Sequence, residues 1–133
     1  MFVVYGDVRS RRRSEELLRV VEAWAARLGN APVFIGGDFN METEESEVMR
    51  RWEVSGVLRD VHHSLALACG RGPAATTTSG RRIDHAWANP EGLRLVRSCR
   101  VIEDQFATHH SLAMELDLDA FVQKSYVRYR PPE

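Results

Sequence analysis

The sequence predicts an α/β fold in which two strand–helix units are followed by mainly antiparallel strands. Two observations carry this. Apolar runs of strand length, Phe2-Val3-Val4-Tyr5 and Val33-Phe34-Ile35, alternate with segments of helical periodicity. Beyond about residue 70 the pattern turns to short β-type stretches bounded by Gly, Pro and polar residues. The order βαβα, then β, places helices on one side of a sheet and leaves its other face in need of cover.

Phe2 to Tyr5 reads as a buried strand and Gly6 to Arg13 as a polar loop. Ser14 is expected to cap a helix running to about Leu28, with Leu17, Val20, Val21, Trp24 and Leu28 as its apolar stripe. Gly29, Asn30 and Pro32 end it. Val33 to Ile35 is the second strand. A second helix is expected from about Thr43, with Glu44, Glu45 and Glu47 favouring its positive end and Val48, Met49 and Trp52 on its buried side. Gly56 closes it, and residues 57–74 read as less regular. Residues 75–78, 83–88, 93–102 and 112–118 read as strands, the last alternating cleanly through Leu112, Met114, Leu116 and Leu118. A domain over 1–120 and a polar tail over 121–133 complete the chain.

Size and composition suit one globular domain: 133 residues, 44% hydrophobic and 28% charged. No apolar run is long enough to span a bilayer, and no leader-like segment follows Met1, so an intracellular protein that avoids membranes is expected. Cys69 and Cys99 form no CxxC pattern and read as buried fillers in a reduced protein. The net charge of −1 offers no general attraction for nucleic acid. Its distribution is uneven. All but one of the 18 basic residues are arginine, and Arg9, Arg11, Arg12 and Arg13 crowd one segment. Positive charge before a helix opposes its dipole, which makes a phosphate contact an alternative to a merely solvated loop.

The chemistry concentrates in three places. Gly36-Gly37-Asp38-Phe39-Asn40 puts an acid and an amide just past a core strand, the edge where α/β sheets bind ligands. The glycines permit close approach of a backbone or a phosphate. A carboxylate there can orient water or bind Mg²⁺, and the amide can donate to a phosphate oxygen. The plainer reading is an Asx-turn. Arg82-Ile83-Asp84-His85 sets a second acid in a strand, where a buried carboxylate needs a partner. Asp84 either meets Arg81 or Arg82 at a surface or holds His110, which precedes the last strand. A carboxylate on an imidazole fixes its tautomer and raises its basicity. His85 faces the other side of its strand and is left out of the site. Asp60, His62 and His63 could suggest zinc, but no further ligands have suitable spacing.

These motifs, with Thr108-His109-His110, resemble the C-terminal half of the endonuclease/exonuclease/phosphatase superfamily, over about Val3 to Leu118. The resemblance implies half of a four-layer α/β sandwich and Mg²⁺-dependent (or Mn²⁺-dependent) phosphodiester hydrolysis. By the same resemblance Asp38 matches the acid that sets the attacking water and Asn40 its partner at the phosphate, and this pair would meet the metal. Asp84 and His110 match the paired acid and catalytic histidine, and Tyr5 the tyrosine near the scissile phosphate. Arg9, Arg11 and His109 are further substrate contacts. The family has Asp before its final histidine where this chain has His109. Assigning the catalytic role to His109, with His110 the extra residue, is the alternative. Ala107-Thr108-His109-His110 is closest to retroelement endonucleases. The Asn and metal-binding Glu of the family's first half do not occur in this chain. The sequence therefore reads as a fragment, weak or inactive alone, with DNA or another phosphodiester as substrate and a complementing N-terminal half or a second copy as partner. Two other readings stand beside it: a non-catalytic remnant that binds a partner through its open sheet face, and a phosphatase of inositol or lipid phosphates.

Overall fold

The computed structural model describes residues 1–103 and 108–119, so the expected tail over 121–133 lies outside the described residues. The described residues form a mixed α/β structure built on a four-stranded sheet. The strands are β1 (Phe2–Tyr5), β2 (Phe34–Asp38), β3 (Arg59–Asp60) and β4 (Asp84–Ala88), in the order β1-β2-β4-β3. β1 runs parallel to β2, and β4 runs antiparallel to β2 and β3. A second sheet pairs β5 (Val96–Ile102) with β6 (Ser111–Leu116), antiparallel.

One face of the main sheet carries α1 (Arg11–Arg27) and α2 (Glu47–Ser55). Ile35, Phe39, Trp87, Leu18, Met49 and Trp52 pack there. Trp52 and Trp87 meet edge to face with ring centroids 5.4 Å apart, a favourable aromatic geometry. The other face carries α3 (Val61–Ala68) and the β5–β6 pair, which cover Phe34, Ala86 and Ala88. A short helix, α4 (Pro90–Leu93), follows β4. The helices thus lie on both faces rather than on one, as expected. Cover of the second face is incomplete: Val3 is 80% exposed and Tyr5 71%. β1 is an edge strand with only Val4 fully buried, not the buried strand its composition suggests.

Several local readings change for identifiable reasons. Ser10, not Ser14, caps α1 by accepting from the Arg13 amide at 3.3 Å. Ser14 is buried one turn further in, where its hydroxyl accepts from the Asp7 amide at 2.8 Å. The stripe of α1 is rotated. Leu18 and Val21 are buried, whereas Leu17, Val20, Trp24 and Leu28 are exposed. Glu15 sets this rotation, because its buried carboxylate accepts from the Glu47 and Val48 amides at 3.0 and 3.1 Å. Those amides are the unpaired donors at the start of α2, so the helices are locked end to side. α2 has the expected buried side, with Val48, Met49 and Trp52 fully enclosed, and a 3₁₀ turn over Thr43–Glu45 precedes it. Gly56 closes it in the left-handed region.

α3 was not legible as a helix because its residues are apolar around most of its circumference, leaving no stripe. Its cap, Asp60, accepts from the His63 amide at 2.9 Å. Residues 75–78 form no strand beyond an isolated bridge at Thr77. Cys69 is exposed and not a buried filler, while Cys99 is half-buried.

Gly37 is a position where the fold requires glycine. Its φ is +140°, and an added Cβ would lie 2.0 Å from the Val4 carbonyl oxygen. The close approach is therefore between β1 and β2, not to a ligand. Gly37→Ala should cost at least about 2 kcal/mol. Urea denaturation of the variant checks this, and a midpoint equal to that of the wild type would contradict it.

Candidate active site

The register across three strands builds the site. Tyr5 pairs with Asp38, and Asp38 with Asp84, so the three stand in one row at one edge of the sheet. Asp38 is the last residue of β2 and Asp84 the first of β4. Neighbouring carboxylates repel, and something must meet their charge.

His109 meets it. Its Nδ1 donates to Asp84 Oδ2 at 2.9 Å, and its Nε2 lies 3.7 Å from Asp38 Oδ2. The imidazole therefore lies between the two acids. Its pKa is raised, first by the hydrogen bond to Asp84, which outweighs the opposing effect of desolvation, and further by the negative charges of Asp84 and Asp38. The expected pairing of Asp84 with His110 is thus corrected. His109 forms an antiparallel bridge with Thr77, and alternation along the extended chain sends its neighbour to the other side. His110 Nδ1 is buried, with no hydrogen-bond partner among the described residues. Asp84 also does not pair with the arginines beside it. Arg81 goes to Glu45 and Arg82 to Asp60.

The segment after Asp38 folds back on it. The Asn40 amide donates to Asp38 Oδ1 at 2.9 Å, which is the Asx-turn reading. Its side-chain nitrogen donates to the Gly6 carbonyl at 2.7 Å. Asn40 adopts φ +53°, a conformation asparagine tolerates better than most residues. The turn and the site are therefore one structure: the turn fixes the Asp38 carboxylate, and the amide ties it to the end of β1.

The substrate-contact candidates are dispersed. Tyr5 stands next to Asp38 in the row with its ring exposed. Arg9 shares a shallow depression with Tyr5, Gly6, Asp7 and Arg13. Arg11 is drawn to Glu45 at 3.3 Å, in a cluster that also holds Arg81.

A network that the sequence did not reveal lies behind the acids. Asp60 is buried on β3, beside Arg82 and His85. Burial disfavours its charge, but the nearby His85, whose Nδ1 lies 3.8 Å away, and the hydrogen-bonded Arg82 guanidinium override this and hold its carboxyl well below the usual range. His85, on the opposite face from Asp84 as expected, is enclosed against the Phe39 ring, and its Nε2 donates to the Met41 carbonyl at 2.8 Å. The network thus fastens the Asp38–Met41 turn to β4 from below. The only sequence cue was Asp60 standing just before an apolar run, the position of a helix cap.

Ligand atoms of Asp38, Asp84 and His109 all lie within 4.8 Å of one another, the one such group of acidic or histidine ligands among the described residues. Two carboxylates with one imidazole suit a hard divalent cation that keeps several waters, better than a closed tetrahedral zinc site.

The family model for the endonuclease/exonuclease/phosphatase family matches residues 2–107. The chain belongs to this family. The 3′-5′ exonuclease NExo of Neisseria meningitidis superposes with a TM-score of 0.62 at 20% identity, over 86% of this chain and 60% of that one. A structure of the 3′ phosphatase NExo from Neisseria, a D146N variant bound to a product DNA hairpin, gives 0.59 at 19% identity, over 80% and 52%. A family protein from Bacteroides thetaiotaomicron gives 0.56 at 19% identity, over 86% and 48%. The chain therefore spans about half to three-fifths of these solved structures. No curated protein matches the sequence.

Two outcomes follow from the charges. In metal-free protein the His109 imidazole should titrate above the ordinary histidine value near 6.5, and Asp84→Asn should bring it down. NMR titration of the ring protons reads both, and an unchanged midpoint in the variant would remove Asp84 as the cause. Asp60 has a depressed folded pKa, so its contribution is complete above the ordinary carboxylate value and is lost as pH falls below it. Asp60→Asn should lower stability at pH 7 by about 3 kcal/mol and flatten the acid limb of the stability profile. An acid limb identical to that of the wild type would contradict the assignment.

Proposed function

We propose that the chain is the Asp–His half of a metal-dependent phosphodiesterase that cuts DNA. The observation that supports it most is the convergence of Asp38, Asp84 and His109, in a chain of this family. With the imidazole protonated, the group carries one net negative charge. A divalent cation reverses that, which suits a singly charged phosphodiester.

Asp38, held by the Asn40 amide, orients the attacking water and accepts its proton. His109 keeps Nδ1–H on Asp84 and turns Nε2 to the phosphate. Its raised pKa favours the imidazolium, which stabilises charge developing on a phosphoryl oxygen and can pass a proton to the leaving group. Asp38 and Asp84 would hold Mg²⁺ or Mn²⁺, which when bound polarises the phosphoryl oxygen. Asn40 holds the turn through its side-chain nitrogen, which is committed to Gly6, and its side-chain oxygen is the atom that would meet the metal beside Asp38. Tyr5 and Arg9 extend the row toward the flanking phosphates, and Arg11 adds charge at greater remove. The Thr-His-His motif favours an endonuclease of retroelement type over a phosphatase of inositol or lipid phosphates.

Full activity requires a complementing half. The open face at Val3 and Tyr5 supports this, as does the fraction of the solved relatives that the chain spans. Partner binding through that face is then part of the function rather than a separate one. Residues 1–120 act as the domain, with 121–133 as a polar tail.

As Mn²⁺ is titrated in, the amide resonances of residues 38–40, 84 and 109 should broaden first, and Asp38→Ala should weaken binding at least about tenfold. Uniform or absent broadening would sink the metal site. Against supercoiled plasmid with Mg²⁺, the chain should nick slowly at most, and any nicking should vanish in Asp38→Ala and His109→Ala. Rapid multiple-turnover nicking would show that no second half is needed. Nicking that survives both substitutions would overturn the catalytic reading.

A further inference from the structure

Thr76 is fully buried between the two segments that supply Asp84 and His109. Its hydroxyl oxygen accepts from the Ile83 and Asp84 amides, each at 3.1 Å. Its carbonyl accepts from the His110 amide at 2.7 Å, and its own amide donates to the Arg81 carbonyl at 2.9 Å. The next residue, Thr77, bridges to His109, and the Thr78 amide donates to the Thr108 carbonyl at 2.9 Å. A strip of chain thus crosses from the start of β4 to the 108–110 segment, and Thr76 makes both connections, one with its side chain and one with its backbone.

We propose that Thr76 is the positioning residue of the Asp84–His109 pair. This rests on the reading of that pair as catalytic. The start of β4 at Asp84 has no neighbouring strand on the β3 side, because β3 pairs only with Trp87 and Ala88. The Thr76 hydroxyl stands in for that strand. Without it the buried Ile83 amide and the half-buried Asp84 amide lose their acceptor, and the first residue of β4 is free to move away from the imidazole. The 2.9 Å contact between Asp84 and His109 depends on Asp84 and the chain neighbour of His109, His110, being fastened to the same residue. Hydroxyl chemistry is what matters, not side-chain volume. Valine has the right shape and lacks the acceptor, whereas serine keeps it.

The test reads the tautomer of His109 in the metal-free chain by ¹⁵N NMR of the imidazoles, above the pH at which the ring deprotonates. In the wild type the Nδ1–H form should dominate, because Nδ1 donates to Asp84. Thr76→Val should shift His109 toward the Nε2–H form, as Asp84→Asn does, while Thr76→Ser should keep the wild-type form. A Thr76→Val protein that retains the Nδ1–H form overturns the proposal. A second measurement needs no variant. The Ile83 and Asp84 amides of the wild type should exchange with solvent at least about tenfold more slowly than the amide of the exposed Gly72, and exchange of both at the Gly72 rate overturns it as well. Neither measurement involves metal or substrate. Failure of nicking or of Mn²⁺ binding with the tautomer response intact would therefore count against the catalytic reading alone.

Discussion

Two carboxylates side by side on adjacent strands repel each other, and the architecture around them exists to make that arrangement tolerable. The β2–β4 register sets Asp38 opposite Asp84. The imidazole of His109 lies between them and supplies the compensating proton. An Asx-turn fixes one acid, and a hydroxyl-capped strand end fixes the other. Polar groups held this firmly cost little reorganisation when a charged ligand arrives, which is the physical basis of electrostatic catalysis.

The support lies below the sheet as much as around the site. Asp60, Arg82 and His85 form a buried charged cluster, and such clusters are costly unless their hydrogen bonds are met. Asp60 meets Arg82, faces His85 and caps α3, so one side chain links β3, β4 and a helix. His85 carries the connection on to Met41, at the end of the turn that starts with Asp38. The segments that carry the two acids are thus tied through the core by Asp60 and His85, both buried, with Arg82 half-buried beside them. The opposite arrangement holds at β1, where Val3 and Tyr5 stand open on the same face as the acids. Exposed apolar residues on a sheet face are where another part of a domain or a partner would pack.

Much of this was legible in the sequence because local chemistry and fold agree there. The glycine-flanked strand before Asp38, the strand around Asp84 and the alternating β6 stand where their patterns put them. The α2 face through Val48, Met49 and Trp52 was equally plain. What was illegible depended on tertiary contacts. The rotation of α1 is set by Glu15 reaching the start of α2, and no stripe on α1 itself reveals that. α3 is apolar around most of its surface, so periodicity gave no signal. The choice between His109 and His110 turns on which of two adjacent residues bridges to Thr77, a pairing with no counterpart in local pattern. Thr76 and the Asp60 cluster were hidden for the same reason: threonine, aspartate and arginine in loops are ordinary until their partners are known.

The central claim is that Asp38, Asp84 and His109 form one cation-dependent site. The most direct measurement is a crystal structure of the chain grown with Mn²⁺ and recorded at a wavelength where manganese scatters anomalously. The account predicts a single strong anomalous peak between the Asp38 and Asp84 carboxylates, with His109 still bonded to Asp84. A map with no peak there, or with Asp84 bonded to His110 and parted from Asp38, would contradict it.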